Sequence, residues 1–123
     1  MLWGDKLCKA VEGIAGFRPF ESQDGEVLFA FMEDTAVPVM ENVEYTFGYE
    51  DVRGFFGRTV KGFMLKLEPS GGNALYLWCT DGGNEVWICG NLSARLYRFA
   101  LWVGYALMTL PYGTIAVHSS CIV

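Results

Sequence analysis

No charged side chain occurs between Phe99 and Val117. The stretch is close to the ~20 residues that span a bilayer, so it must be buried in lipid or in protein. Pro111-Tyr112-Gly113 decides between the two. Proline ends a helix and the glycine after it favours a turn, which leaves an apolar segment of about 12 residues, suited to the interior of a soluble domain rather than a membrane. Leu92, Leu96, Phe99, Val103, Leu107 and Leu110 recur at three- and four-residue spacings, and Asn91 or Ser93 can cap the first turn. The pattern predicts one long helix over about 92–110. From Phe99 to Leu110 it is apolar nearly all round, so one side should cover a sheet while another meets a further partner, with Phe99 and Trp102 as candidate interface residues.

Ahead of the helix the pattern is that of strands. Val43, Tyr45, Phe47 and Tyr49 alternate with Asn42, Glu44, Thr46 and Gly48, the period of two that puts one face on a core and the other in water. Glu26 to Met32 reads as a strand covered on both faces, and Thr59 to Leu67 as another, with Phe63, Leu65 and Leu67 on one side and Lys66 on the other. Asp51 to Gly57 reads as a glycine-punctuated connection, and residues 1–16 carry a weak helical periodicity that Gly4, Gly13 and Gly16 erode. Ala74 to Thr80 and Glu85 to Cys89 flank Asp81-Gly82-Gly83-Asn84, a tight-turn sequence. In that register Trp78 faces Trp87 and Cys79 faces Val86. Leu75, Leu77, Cys79, Val86 and Ile88 then share one face, with Tyr76, Trp78 and Trp87 on the other. The expected fold is α+β: a mixed or antiparallel sheet of about five or six strands, one apolar C-terminal helix packed on it, and a final strand over 114–123.

The 123 residues, 52% hydrophobic and 19% charged, fit one globular domain and exclude a disordered tail or a multidomain enzyme. Residues 1–51 carry 11 acids and 3 bases, residues 52–123 carry 3 acids and 6 bases, and the net charge is −5. No basic stripe exists to neutralise phosphates, which disfavours a nucleic-acid partner. The N-terminus lacks a basic region followed by an apolar core and a small-residue cleavage site, so the cytoplasm is the expected compartment. Cys8, Cys79, Cys89 and Cys121 contain no CxxC pair and have only His118 beside them, which fits reduced structural thiols better than zinc ligands.

Catalytic groups are sparse. His118 has Ser119, Ser120 and Cys121 near it, yet neighbours on a strand point to opposite faces, so no triad follows. The acidic pairs Glu33-Asp34 and Glu50-Asp51 sit beside predicted turns, where solvated charge is ordinary. No phosphate-cradling glycine motif occurs in residues 1–123. The one-sided aromatic set Tyr76, Trp78 and Trp87 is either a second core layer, a protein interface or a ligand platform.

The helix from Ser93 to Leu110, the Pro-Tyr-Gly break and then Gly113-Thr114-Ile115-Ala116-Val117-His118-Ser119-Ser120-Cys121-Ile122-Val123 together resemble a junction in bacterial proteins related to HPr kinase/phosphorylase and the ATP-dependent phosphoenolpyruvate carboxykinases. In those proteins an apolar helix leads to an H-[AS]-S-x-[VI]-V-like strand, and a hairpin, a strand and the phosphate-binding loop with its lysine follow. The resemblance covers roughly residues 92–123; residues 1–90 match only in arrangement. It implies that residues 1–113 are a β-rich leader domain and that 114–123 open a kinase-like core continuing beyond Val123. The phosphate loop, metal-binding acids and general base would all lie downstream. No catalytic, cofactor-binding or metal-binding residue is therefore expected within this chain, ATP and Mg belong to the longer parent, and His118 comes close to its nucleotide site. The implied role is substrate positioning or self-association beside the missing C-terminal domain. The rival expectation is a free-standing binding or oligomerisation module that uses the aromatic sheet face.

Overall fold

The computed structural model describes residues 2–3, 8–9, 21–22, 29–33, 36–81 and 85–109. Nine strands, β1 (Leu2–Trp3), β2 (Cys8–Lys9), β3 (Glu21–Ser22), β4 (Phe29–Glu33), β5 (Asn42–Tyr49), β6 (Val52–Arg58), β7 (Phe63–Pro69), β8 (Leu75–Cys79) and β9 (Glu85–Gly90), precede the helix α1 (Ala94–Thr109). They form one sheet in the order β3-β1-β2-β4-β9-β8-β7-β6-β5. Its body is the five-stranded antiparallel run from β5 to β9, each strand paired to the next in sequence. β4 joins β9 in parallel and β2 joins β4 in parallel, with two-residue pieces beyond.

Alternation along these strands sorts the side chains into two layers. Val52, Leu65, Leu67, Leu75, Leu77, Val86 and Ile88 point to one face, where Leu96, Tyr97, Ala100 and Leu101 of α1 close over them. Burying each of the larger aliphatic side chains contributes about 1.5–3 kcal/mol, so this layer supplies most of the driving force. Met64, Trp78 and Cys89 point the other way and are also buried, with Met40, Tyr76 and Trp87 packed against them. The first turn of α1 is set by Ser93, whose carbonyl accepts the Tyr97 N–H at 2.9 Å. Asn91 braces that entry from outside the helix. Its Oδ1 accepts the Ser93 N–H at 3.2 Å while its Nδ2 donates to the Asn73 carbonyl at 3.0 Å.

The hairpin register agrees with expectation at every point: Trp78 pairs with Trp87, Cys79 with Val86, and Leu77 with Ile88. The α+β class and the sheet-packed helix agree as well, the helix spanning 94–109 against about 92–110. Three expectations are corrected. Residues 52–58, read as a connection, are a strand paired on both sides. The loop before them is only Glu50 and Asp51, with no glycine or proline to mark it, and Gly54 and Gly57 lie where a methyl would meet the Phe47 ring and the Asn42 backbone. The strand predicted from Thr59 begins at Phe63, because the Thr59 hydroxyl accepts the N–H groups of Lys61 and Gly62 and closes a turn there. The weak helix over 1–16 is replaced at Leu2–Trp3 and Cys8–Lys9 by strand pairing, consistent with glycines that lower helix propensity. The expected strand over 114–123, the Gly82-Gly83 turn and His118 lie outside the described residues.

β9 ends at Gly90, whose φ of 95° is one that side chains with a Cβ rarely adopt, and a methyl there would also meet the Ala74 carbonyl. That carbonyl accepts the Asn91 N–H at 3.0 Å, so it cannot retreat without loosening the helix entry. Gly90→Ala should destabilise the protein by about 1–3 kcal/mol in urea unfolding. Gly71→Ala, with open space around it, should stay within roughly 0.5 kcal/mol of wild type.

Candidate functional site

The sheet face turned away from α1 is organised in cross-strand rows. One row runs Gly57, Met64, Trp78 and Trp87, and the next runs Thr46, Phe55, Lys66, Tyr76 and Cys89. Trp78 and Trp87 stack with ring centroids 6.5 Å apart and planes 14° from parallel. Trp78 is 4% exposed and Trp87 half-buried. In the second row the Lys66 ammonium lies between two rings, 5.6 Å from Phe55 and 5.8 Å from Tyr76, and pairs with Glu68 at 3.2 Å. Arg53 covers Phe55 from its other flank at 5.4 Å.

A second aromatic group lies on the helix side. Phe99 stacks on Tyr49 at 4.7 Å, meets Phe47 at 5.9 Å and takes Trp102 edge-on at 6.2 Å. Phe47 in turn stacks on Tyr45 at 6.0 Å. Trp102 remains 41% exposed. The two sets of interface residues read from the sequence thus sit on opposite sides of the sheet: Tyr76, Trp78 and Trp87 on one, Phe99 and Trp102 on the other. Within the first set Trp78 belongs to a buried cluster, while Tyr76 and Trp87 are the half-exposed members.

The charged groups act structurally. Arg95 donates to Glu50 at 3.0 Å and to Asp51 at 2.7 Å, and the Ser70 hydroxyl reaches Asp51 at 3.3 Å, so the acidic loop of the β5–β6 hairpin is tied to the first turn of α1. Arg95 is the residue that sequence reading missed. The only available signal was that Glu50-Asp51 is a concentrated pair of charges at a hairpin tip that needs a cation. Arg58 similarly bridges to Asp81 and lies over the Phe63 ring at 4.5 Å. Cys79 and Cys89 are buried on opposite faces, and burial pushes the Cys79 thiol up, away from nucleophile chemistry. No group of three or more His, Cys, Asp or Glu among the described residues is placed to hold a metal, and no described helix is long and apolar enough to cross a membrane. What these surfaces can do chemically is stack and pair: they suit recognition of a polypeptide or an aromatic group. Comparison with protein-family models, with curated proteins and with solved structures finds no match.

Two outcomes follow. Trp78→Ala should cost about 3–5 kcal/mol in chemical denaturation, and Trp87→Ala distinctly less; a Trp78→Ala protein as stable as wild type would make the whole row a surface feature. The hydrogen bond from Arg95 holds the Asp51 carboxyl below the ordinary aspartate range. A carboxyl depressed in the folded state adds stability above its unfolded value and loses it as pH falls through the folded one. Wild type should therefore be more stable than Asp51→Asn near neutral pH, and the gap should narrow as pH falls below the ordinary aspartate range, as read from paired unfolding curves.

Proposed function

We propose that this chain is the non-catalytic leader domain of a larger cytoplasmic P-loop kinase-like protein, serving substrate positioning or self-association. The observation that carries the reading is α1. It docks on the sheet through Leu96, Ala100 and Leu101, and its described end at Thr109 falls just before Pro111. In the resembling proteins related to HPr kinase/phosphorylase and the phosphoenolpyruvate carboxykinases, that is where the chain passes from an apolar helix to the H-[AS]-S-x-[VI]-V-like strand. By that resemblance residues 114–123 would supply the strand, with His118 at the motif's histidine. ATP and Mg would be bound by the kinase-like core, and the exposed Trp102 is a natural contact for that core or for a second copy.

The alternative of a free-standing binding module draws support from the half-exposed Tyr76 and Trp87 beside Lys66. The two readings part on one question. Reading the natural gene past codon 123 should reveal G-x-x-x-x-G-K-[ST] within about 10–25 codons. Titration calorimetry should then find no ATP affinity in the 123-residue chain and clear affinity in the extended protein. A stop codon in that window, or micromolar ATP binding by the 123-residue chain, refutes the leader-domain reading.

A further inference from the structure

Among the described residues β5 is the outermost strand of one side of the sheet, so a row of its N–H and C=O groups faces away from β6, a ready template for another strand. Lysine and proline, the residues that commonly guard such an edge, are both missing from Asn42–Tyr49. The register shift between Val43 and Tyr45 interrupts pairing at Glu44 and leaves Tyr45–Tyr49, an uncharged Tyr-Thr-Phe-Gly-Tyr run, as the regular part of the edge. Around it the exposed apolar side chains of the described residues concentrate: Val39 is 76% exposed, Tyr45 63% and Val43 48%. The carboxylates of Glu41 and Glu44 lie in the same stretch and make no ion pair among the described residues, in contrast to Glu50 and Asp51, which Arg95 holds.

We propose that this edge binds an extended, basic polypeptide segment by strand addition. The segment's backbone pairs along Tyr45–Tyr49, its lysine or arginine side chains answer the negative charge of Glu41 and Glu44 at the start of the strand, and its β-branched side chains alternate with them along the edge. Charge selects this occupant over a second copy of the chain. A second copy pairing through the same strand would bring its own Glu41 and Glu44 to an edge that already carries these carboxylates, whereas a basic segment brings the opposite charge. The site is independent of the kinase-like reading, which rests on α1 and residues 113–123.

The test uses the 123-residue chain, isotopically labelled and titrated with two blocked ten-residue peptides, one alternating lysine with valine and one alternating glutamate with valine. The lysine peptide should give saturable amide shifts and slowed hydrogen exchange confined to β5, with affinity about tenfold above that of the glutamate peptide. Glu41→Lys/Glu44→Lys, two changes at exposed positions, should reverse the preference. The proposal is overturned by shifts centred elsewhere, by equal binding of both peptides, by no binding of either, or by concentration-dependent self-association through β5 without peptide.

Discussion

Everything in this structure depends on one packing event, the seating of α1 on the face formed by β7, β8 and β9. Five antiparallel strands expose two faces, and the face carrying Leu65, Leu67, Leu75, Leu77 and Ile88 has no other described cover than this helix. Leu96 and Leu101 fill the contact, while the small, buried Ala100 lets the helix lie close to the strands. An isolated 16-residue helix is marginal in water, and an uncovered sheet of this composition would aggregate. Each element is therefore stable only through the other. Fixing the helix also fixes which face of every strand is inside.

The helix could slide on so apolar a face, since hydrophobic contact is non-directional. Two polar attachments at its entry prevent that. Asn91 fastens the incoming chain to Asn73 through its side chain and to Ala74 through its N–H, and Arg95 grips the loop between β5 and β6. That loop holds Glu50 at a φ of 50°, an unusual conformation for a residue with a side chain. Its carboxylate meets Arg95 from there. These exposed ion pairs add little net stability; what they supply is direction, joining the far hairpin to the first helical turn.

The parts of the fold that were legible in the sequence are those where two periodicities reinforce a turn signal. The β8–β9 hairpin could be read to the residue because a turn signal in the sequence between two alternating runs implies one register, and that register pairs Trp78 with Trp87 as observed. The helix was legible because apolar residues recur at its own period. β6 was not, for a reason that lies in how glycine is used. Glycine normally marks a break, but Gly54 and Gly57 are paired strand residues that make room for the Phe47 ring and the Asn42 backbone. The true turn, Glu50-Asp51, carries no glycine at all. Long-range ion pairing was equally invisible: nothing local to Arg95 points to a loop more than forty residues earlier in the chain. Of the candidate site, the aromatic side chains were sorted correctly to their faces, while the sequence alone left open that Trp78 is core.

With Trp78 enclosed, exposed aromatic surface among the described residues is left chiefly at two places, Tyr45 on the sheet edge and Trp102 on the helix. They are not separate. Tyr45 stacks on Phe47, Phe47 meets Phe99, and Phe99 meets Trp102, each step about 6 Å between ring centres. Aromatic contacts of this kind favour particular offsets and tilts over others. A strand added at β5 presses on the first ring of this series, and a domain or second copy seated on α1 presses on the last. Phe99 also stacks on Tyr49, the residue that ends β5 and enters the Glu50-Asp51 loop, so a displaced ring would be felt at the Arg95 attachment as well. The edge and the helix are therefore joined by a continuous series of ring contacts, and the same contacts help to hold α1 where it sits on the sheet.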